Sequence, residues 1–300
     1  MKVLISGASG FVGLNLCSHF NKMGLEIVRL NRSEFENKSI DLYNSDIVIH
    51  LAGKAHDFSS SINEKEYFSA NFETTKKLYD SFLKSRKAIS FIYFSSVKAV
   101  ADQAQINMLE TQKPFPQTFY GRSKLKSEEY ILSNPPTNGK KFYILRPTMI
   151  HGPGNKGNLN LLYKLIKKRI PWFLGDFKNK RSFCSIDNLI FIVEELITNF
   201  NITSGIYNVC DSESLSTNMV VNIIANESNT KLISIPIPKK LVTPIVKFLE
   251  FFGLNFTRFK KLTEYYTVSN NKILNAIGKK LPLTATNGLS KTINYFNNKI

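Results

Sequence analysis

The sequence predicts an α/β fold, a doubly wound parallel sheet with a smaller C-terminal lobe. Three observations point there. The first half alternates short β-branched runs with longer amphipathic stretches, the pattern of βαβ units. A glycine-rich turn, GASGFVG at 7–13, joins the first strand-like run to the first helix-like one. The chain has 300 residues, 43% hydrophobic and 21% charged, which suits one large domain plus a lobe and is too apolar for disorder.

The strand-like runs are KVLIS at 2–6, EIVRL at 26–30, DIVIHL at 46–51, SFIYFS at 90–95, FYILR at 142–146 and IYNV at 206–209. Each is short and rich in β-branched or aromatic residues. Helix-like stretches fall at 11–23, 71–86, 120–133, 160–169, 187–199 and 215–225. Two segments read as loops, 101–119 with Pro114 and Pro116, and 147–158 with Pro147, Pro153 and glycines. Beyond residue 230 the texture changes to a proline-containing run followed by an amphipathic one with Phe248, Phe251 and Phe252. The expected division is a nucleotide-binding domain over 1–150, to which 182–212 return, and a substrate lobe from 151–181 and 213–300.

Composition limits the function. Cys17, Cys184 and Cys210 are odd in number and lack CxxC spacing, so reduced thiols and a cytoplasmic protein are expected. These cysteines and the four histidines form no metal-ligand cluster. The opening MKVLISGASG has too short an apolar run for a signal peptide, and no apolar stretch is long enough to span a bilayer. The formal charge of +17 is spread out, with 20 basic and 14 acidic residues in the first half and 20 and 9 in the second. There is no basic tail and no nucleic-acid motif, so a solvated lysine-rich surface is expected and nucleic acid is not. The basic, Phe-containing segment 239–256 reads as a core or homodimer helix, with peripheral membrane contact as the alternative.

The glycine turn carries the first chemical signal. Gly7 permits a tight exit from the strand, Gly10 lets a pyrophosphate approach the helix N-terminus, and Gly13 allows close packing of helix on sheet. A dinucleotide is the expected ligand. An acid about twenty residues further on usually holds the adenosine ribose and selects NAD. Here Asn31 occupies that position and Arg32 follows, a departure from the NAD-selecting pattern that favours NADPH, or use of both cofactors. A second signal is Tyr120 and Lys124, four apart and so on one helix face. A tyrosine has a reference pKa of about 10, and a nearby ammonium stabilises its phenolate. Tyr120 can then exchange a proton with a substrate oxygen.

These features together resemble the extended short-chain dehydrogenase/reductase family, the NAD-dependent epimerases and dehydratases of nucleotide sugars. The resemblance rests on the GxxGxxG spacing, HLAG at 50–53, FSS at 94–96, YGRSK at 120–124 and LRPTMIHGPG at 145–154. SSVK at 95–98, GNKGN at 154–158 and NKRSFCSIDNL at 179–189 are most similar to bacterial UDP-sugar 4-epimerases and UDP-4-keto-sugar reductases of surface-polysaccharide pathways. It implies a Rossmann domain with Ser96, Tyr120 and Lys124 as the catalytic set and a UDP-sugar as substrate. It also implies NAD or NADP contacts from Gly7, Gly10, Phe11, Val12, Gly13, Asn31, Arg32, Asp41, Leu42, Leu51, Ala52, Gly53, Lys124 and Pro147. Lys98, Asn158 and Arg181 are the implied substrate contacts. Ser96 is followed by Val97 and Lys98, where the family's dehydratases carry an Asp-Glu pair, so dehydration is disfavoured. The expected reaction is reduction of a 4-keto sugar at C4 of a UDP-hexose, with a 4-epimerase holding NAD tightly as the alternative.

Overall fold

The structure is a computed structural model and describes residues 1–37, 39–55, 63–103, 105–155, 157–235, 237–238 and 262–298. The segment 239–256 and residue 156 of the GNKGN motif lie outside the described residues.

Six strands build the large sheet: β1 (Lys2–Ser6), β2 (Glu26–Leu30), β3 (Ile47–His50), β4 (Ser90–Phe94), β6 (Lys141–Pro147) and β9 (Gly205–Val209). They run parallel in the order β2-β1-β3-β4-β6-β9. Alternate residues point to opposite faces, so each strand feeds two cores. Val3, Ile5, Ile47, Ile49, Ile92, Tyr143 and Leu145 pack on one face against Leu16 and Phe20 of α1 (Phe11–Lys22) and Leu189, Ile192 and Val193 of α6 (Ile186–Thr198). Leu4, Val48, Phe91, Tyr93 and Ile144 pack on the other against Leu78, Tyr79 and Phe82 of α3 (Thr74–Lys84) and Ile131 of α4 (Phe119–Ser133). Burial on both faces explains why these strands read as nearly continuous apolar runs.

In the described residues β2 is an edge strand. The doubly wound order ordinarily places a further strand beyond it. Here a single 3-10 turn, Arg32–Glu36, and a short return occupy that stretch of chain. Asp46 is already at the amino end of the sheet, where its carboxylate accepts the Lys2 N–H at 2.8 Å.

A second sheet runs β10 (Ser214–Leu215), β8 (Arg181–Ser185), β11 (Tyr266–Val268), β5 (Gln105–Met108), with β7 (Met149–His151) paired to β8. A separate core lies beside it. Leu159, Leu162 and Ile166 of α5 (Asn158–Lys167) meet Val220, Val221 and Ile224 of α7 (Thr217–Glu227) and Leu289, Ile293 and Phe296 of the last helix, α9 (Ala285–Asn297). The intervening helix, α8 (Asn271–Ile277), behaves differently: Ile273 and Ile277 join the large-sheet core, although the sequence assigns all of 213–300 to the second lobe.

Strands β5 and β7 lie inside the two segments that read as loops. Each is short, and each pairs with a strand remote in sequence, β11 and β8 respectively, so no local pattern announces it. The helix expected at 71–86 is longer, beginning with α2 (Glu64–Tyr67) and continuing through a π-helical turn, Phe68–Glu73, into α3.

Gly13 shows how tightly α1 is set on the sheet. A Cβ there would lie 2.6 Å from Ala8 Cα and against the Gly7 carbonyl. Gly13→Ala is therefore expected to destabilise the protein by about 1–3 kcal/mol through overpacking, read as a lowered urea midpoint with unchanged m.

Candidate active site

The site forms where the carboxyl ends of the parallel strands meet the loops that follow them. Gly7 leaves β1 with φ +72°, and a Cβ there would stand 2.8 Å from the Ala52 amide nitrogen. The turn and the 51–53 loop therefore touch backbone to backbone. Helix α1 starts at Gly10 with no side-chain cap and no acidic residue in its first turn, which contains Phe11, Val12 and Gly13. Uncapped amides and the positive end of the helix dipole are left for an external anion, so the cradle fits a dinucleotide pyrophosphate.

Asn31 and Arg32 both follow β2 and are exposed. Asp41 and Leu42 are not brought to the glycine turn. Leu42 is buried with Leu4 and Leu30, and the Asp41 carboxylate accepts the Tyr43 N–H at 2.7 Å. Both line a groove with Lys84, Ser85, Arg86 and Lys87, the connection that enters β4 at the amino end of the sheet. The physical reason is a tight turn: Tyr43 and Asn44 have positive φ and the Ser45 N–H donates to the Leu42 carbonyl at 2.9 Å, which keeps Leu42 beside the start of β3.

A buried chain of hydrogen bonds ties this region together. Ala52 N–H donates to Ser6 Oγ at 3.3 Å, which lies 2.6 Å from His50 Nδ1. His50 Nε2 lies 2.9 Å from Thr75 Oγ1, whose hydroxyl donates to the Asn71 carbonyl at 2.5 Å. Because Thr75 donates onward, His50 Nε2–H is the donor and Nδ1 accepts from Ser6. Burial pushes His50 down to about 3, with the Lys124 charge adding to the effect, and keeps the ring neutral. Asn71 sits in the π-helical turn, a device frequent at functional sites. Its side chain accepts from Lys54 N at 2.7 Å and donates to the Lys54 carbonyl at 3.1 Å and to Ser123 Oγ at 2.8 Å. A Cβ on Gly53 would lie 2.6 Å from Asn71 Oδ1 and 3.4 Å from Lys124 Nζ. His50 and Asn71 were not singled out in the sequence. The π-helical turn leaves no periodic mark there.

The predicted serine, tyrosine and lysine converge. Ser96 caps the 3-10 turn Val97–Ala99 and accepts the Lys98 N–H at 3.2 Å. Thr118 caps α4, accepting Gly121 N–H at 3.1 Å and donating to Asp102 at 2.9 Å. Tyr120 lies in the first turn of α4, close enough to Ser96 for the serine hydroxyl to influence its phenol. Ser95 is committed elsewhere, donating to the buried Glu128 carboxylate. That carboxylate is forked by Arg146, whose Nη2 approaches to 2.5 Å.

Burial raises the Tyr120 hydroxyl, and the nearby Ser96 hydroxyl pulls it partly back down. Lys124 is itself perturbed: burial pushes it down to about 8, against the opposing pull of Glu128. Its ammonium donates to the Phe94 carbonyl at 2.8 Å and lies 4.9 Å from the Tyr93 ring centroid.

Two of the three expected substrate contacts meet on one ring. Lys98 Nζ lies 4.6 Å and the Arg181 guanidinium 5.6 Å from the centroid of Tyr266. Lys98 also donates to the Asp102 carbonyl at 2.6 Å, and Tyr266 donates to the Ala101 carbonyl at 2.7 Å. Tyr266 lies far along the chain, beyond the region in which the sequence motifs occur. Asn158 opens α5. Pro147 closes β6, paired with Val209, and the buried hydroxyl of the next residue, Thr148, has no partner among the described residues.

Lys124 gives the site a pH signature. In the unfolded chain it holds its proton up to about 10.5, and in the folded protein up to about 8. Between those values the unfolded state binds more protons, so this group adds stability as pH rises and is unfavourable below. Urea titrations from pH 7 to 10 should show wild type gaining on Lys124→Met above pH 8, by about 1.4 kcal/mol per pH unit.

Comparison with known proteins agrees with this architecture. Residues 3–210 match the family described as "NAD dependent epimerase/dehydratase family". A UDP-glucose 4-epimerase of Vibrio cholerae is 27% identical, over 98% of this chain and 95% of its own length. A UDP-2-acetamido-2,6-beta-L-arabino-hexul-4-ose reductase of Pseudomonas aeruginosa is 31% identical, over 53% of this chain and 38% of its own length. The structure of RMD from Pseudomonas aeruginosa complexed with NADPH has the same fold, with a TM-score of 0.76 at 19% identity over 99% of this chain and 100% of that one. With a parallel sheet, a glycine cradle and a match over most of its length, this chain belongs to the NAD dependent epimerase/dehydratase family.

Proposed function

We propose that this protein is a nicotinamide-dependent enzyme that oxidises and reduces C4 of a UDP-hexose. The observation that supports the reading is the close seating of the first turn of α4, which carries Tyr120, on the 3-10 turn capped by Ser96, with Lys124 beside the Gly53 loop. When bound, the nicotinamide supplies hydride transfer at the same carbon. Gly7, Gly10 and Gly13 form the cradle for its pyrophosphate, and Lys124 stands near the ribose that joins it to the ring. Ser96 Oγ hydrogen-bonds the C4 oxygen and orients it. Tyr120 takes the C4 hydroxyl proton as the sugar is oxidised and returns it when the carbonyl is reduced. A raised Tyr120 suits the second role at neutral pH, since the phenol then stands protonated. Lys98 and Arg181, held on Tyr266, bring two positive charges toward the diphosphate. The second core is the sugar-binding lobe.

A 4-epimerase is the reading we favour, supported by similarity to the Vibrio cholerae 4-epimerase over nearly the full length of both chains. Such an enzyme removes and returns hydride within one turnover and needs no added cofactor. The second reading is a 4-ketoreductase using exchangeable NADPH. It is favoured by the exposed Arg32 and by the Pseudomonas aeruginosa reductase, which matches about half the chain.

The test offers purified protein a panel of UDP-hexoses without cofactor, and UDP-4-keto sugars with NADH or NADPH. Interconversion of C4 epimers without added cofactor is expected; turnover of the keto sugar alone supports the second reading. Tyr120→Phe should lower kcat by about 10²–10⁴-fold and leave nucleotide binding in place. Unchanged turnover in that variant refutes the proposed role.

A further inference from the structure

The segment that leads into α3 carries a buried ring beside the tyrosine of the site. Tyr67, Asn71 and Thr75 are four residues apart and all buried, so they share the face turned toward α4 and the sheet. Asn71 and Thr75 use that face for hydrogen bonds. Tyr67, the last residue of α2, lies instead against Tyr120. The ring centroids are 6.5 Å apart and the planes meet at 64°, an edge-to-face aromatic pair. Tyr67 is itself braced. The Lys54 ammonium stands 5.3 Å from its ring centroid and pairs with the Glu66 carboxylate at 2.5 Å. The Asn71 side chain in turn fixes the main chain of Lys54 by bonding both its N–H and its carbonyl. Glu64 and Arg122, 3.5 Å apart, tie α2 to α4 a second time.

We propose that Tyr67 is a positioning residue that holds the Tyr120 phenol in place for proton exchange at C4. The inference rests on the reading that Tyr120 performs that exchange. Tyr120 stands in the first turn of α4, where no preceding helical turn lies beneath the side chain to restrict it. Proton transfer works only over hydrogen-bond distance, so a phenol free to swing loses its alignment with the reacting oxygen. Tyr67 supplies the wall that the helix lacks at this point. The Lys54 cation favours one orientation of the Tyr67 ring, and the edge-to-face pair with Tyr120 depends on that orientation. Both contacts are made by the ring and not by its hydroxyl, so phenylalanine should serve in its place.

The test compares Tyr67→Leu, Tyr67→Phe and Tyr120→Phe in full-length protein, by steady-state turnover of the UDP-hexose that wild type converts. NADH binding, followed by nicotinamide fluorescence, counts the folded sites. Tyr67→Leu should lower kcat per folded site by about 10–100-fold through lost alignment, with KM within about twofold. Tyr67→Phe should restore kcat to within about threefold of wild type. If Tyr67→Leu binds no NADH, Lys54→Met decides: loss of the brace should lower kcat by about two- to fivefold with KM held, and wild-type kcat in that variant overturns the proposal. Wild-type kcat in Tyr67→Leu beside an impaired Tyr120→Phe overturns the role of Tyr67 alone. So does an effect confined to KM, or a Tyr67→Phe as impaired as Tyr67→Leu. Unchanged turnover in Tyr120→Phe, or a wild type that converts no UDP-hexose, overturns the underlying reading and this inference with it.

Discussion

The close approach of helix α4 to the turn after β4 is the constraint on which the site depends. Gly121 makes it possible. A Cβ there would press on the Lys98 carbonyl oxygen and lie 2.8 Å from Pro116 Cβ. Without a side chain at 121, the first turn of α4, which carries Tyr120, sits directly on the 3-10 turn capped by Ser96. Asp102 fixes the same junction from outside. Its carboxylate accepts Gln117 N–H at 2.7 Å, Thr118 N–H at 2.9 Å and the Thr118 hydroxyl. One missing methyl group and one acid thus set the distance between two functional side chains from different elements.

Beneath that junction the buried charges are arranged so that few are left alone. Glu128 is almost fully buried, but Arg146 forks it and Ser95 donates to it. Removing either partner of such a pair would strand a charge, so the pair acts as a rigid unit rather than as a large net stabiliser. Lys124 lies within its field and against backbone carbonyl and aromatic groups, which leaves its proton more loosely held than an ordinary lysine's. His50 follows the opposite strategy. It remains neutral and uses both ring nitrogens to connect β1 to the π-helical turn that carries Asn71. The glycine cradle, the Gly53 loop and helix α4 are thereby linked through buried and half-buried polar contacts.

Much of this was legible in the sequence, and the reasons differ by residue. The parallel strands announce themselves because burial on both faces demands continuous apolar runs. Gly7 and Gly13 are legible because close backbone approach admits only glycine, and Tyr120 and Lys124 because four residues make one helical turn. Strands β5, β7 and β11 were invisible, since each is short and stabilised by partners remote in the chain. The structure sets Asp41 and Leu42 in the groove with Lys84–Lys87, since no strand lies beyond β2 among the described residues and the chain turns there directly into β3. Tyr266 gathers Lys98 and Arg181 from two distant segments, a convergence that only tertiary structure creates.

The most direct test of the central claim is turnover in Gly121→Ala, measured on whichever UDP-hexose the wild type accepts and at a temperature where the variant is folded. A displacement of about 1 Å between reacting groups can reduce rate about 100-fold. A loss of at least that size is expected, with NADH affinity changed far less, because the pyrophosphate cradle is built from Gly7, Gly10 and Gly13 on another element. A folded variant that turns over at the wild-type rate would show that the contact between α4 and the Ser96 turn does not govern the chemistry.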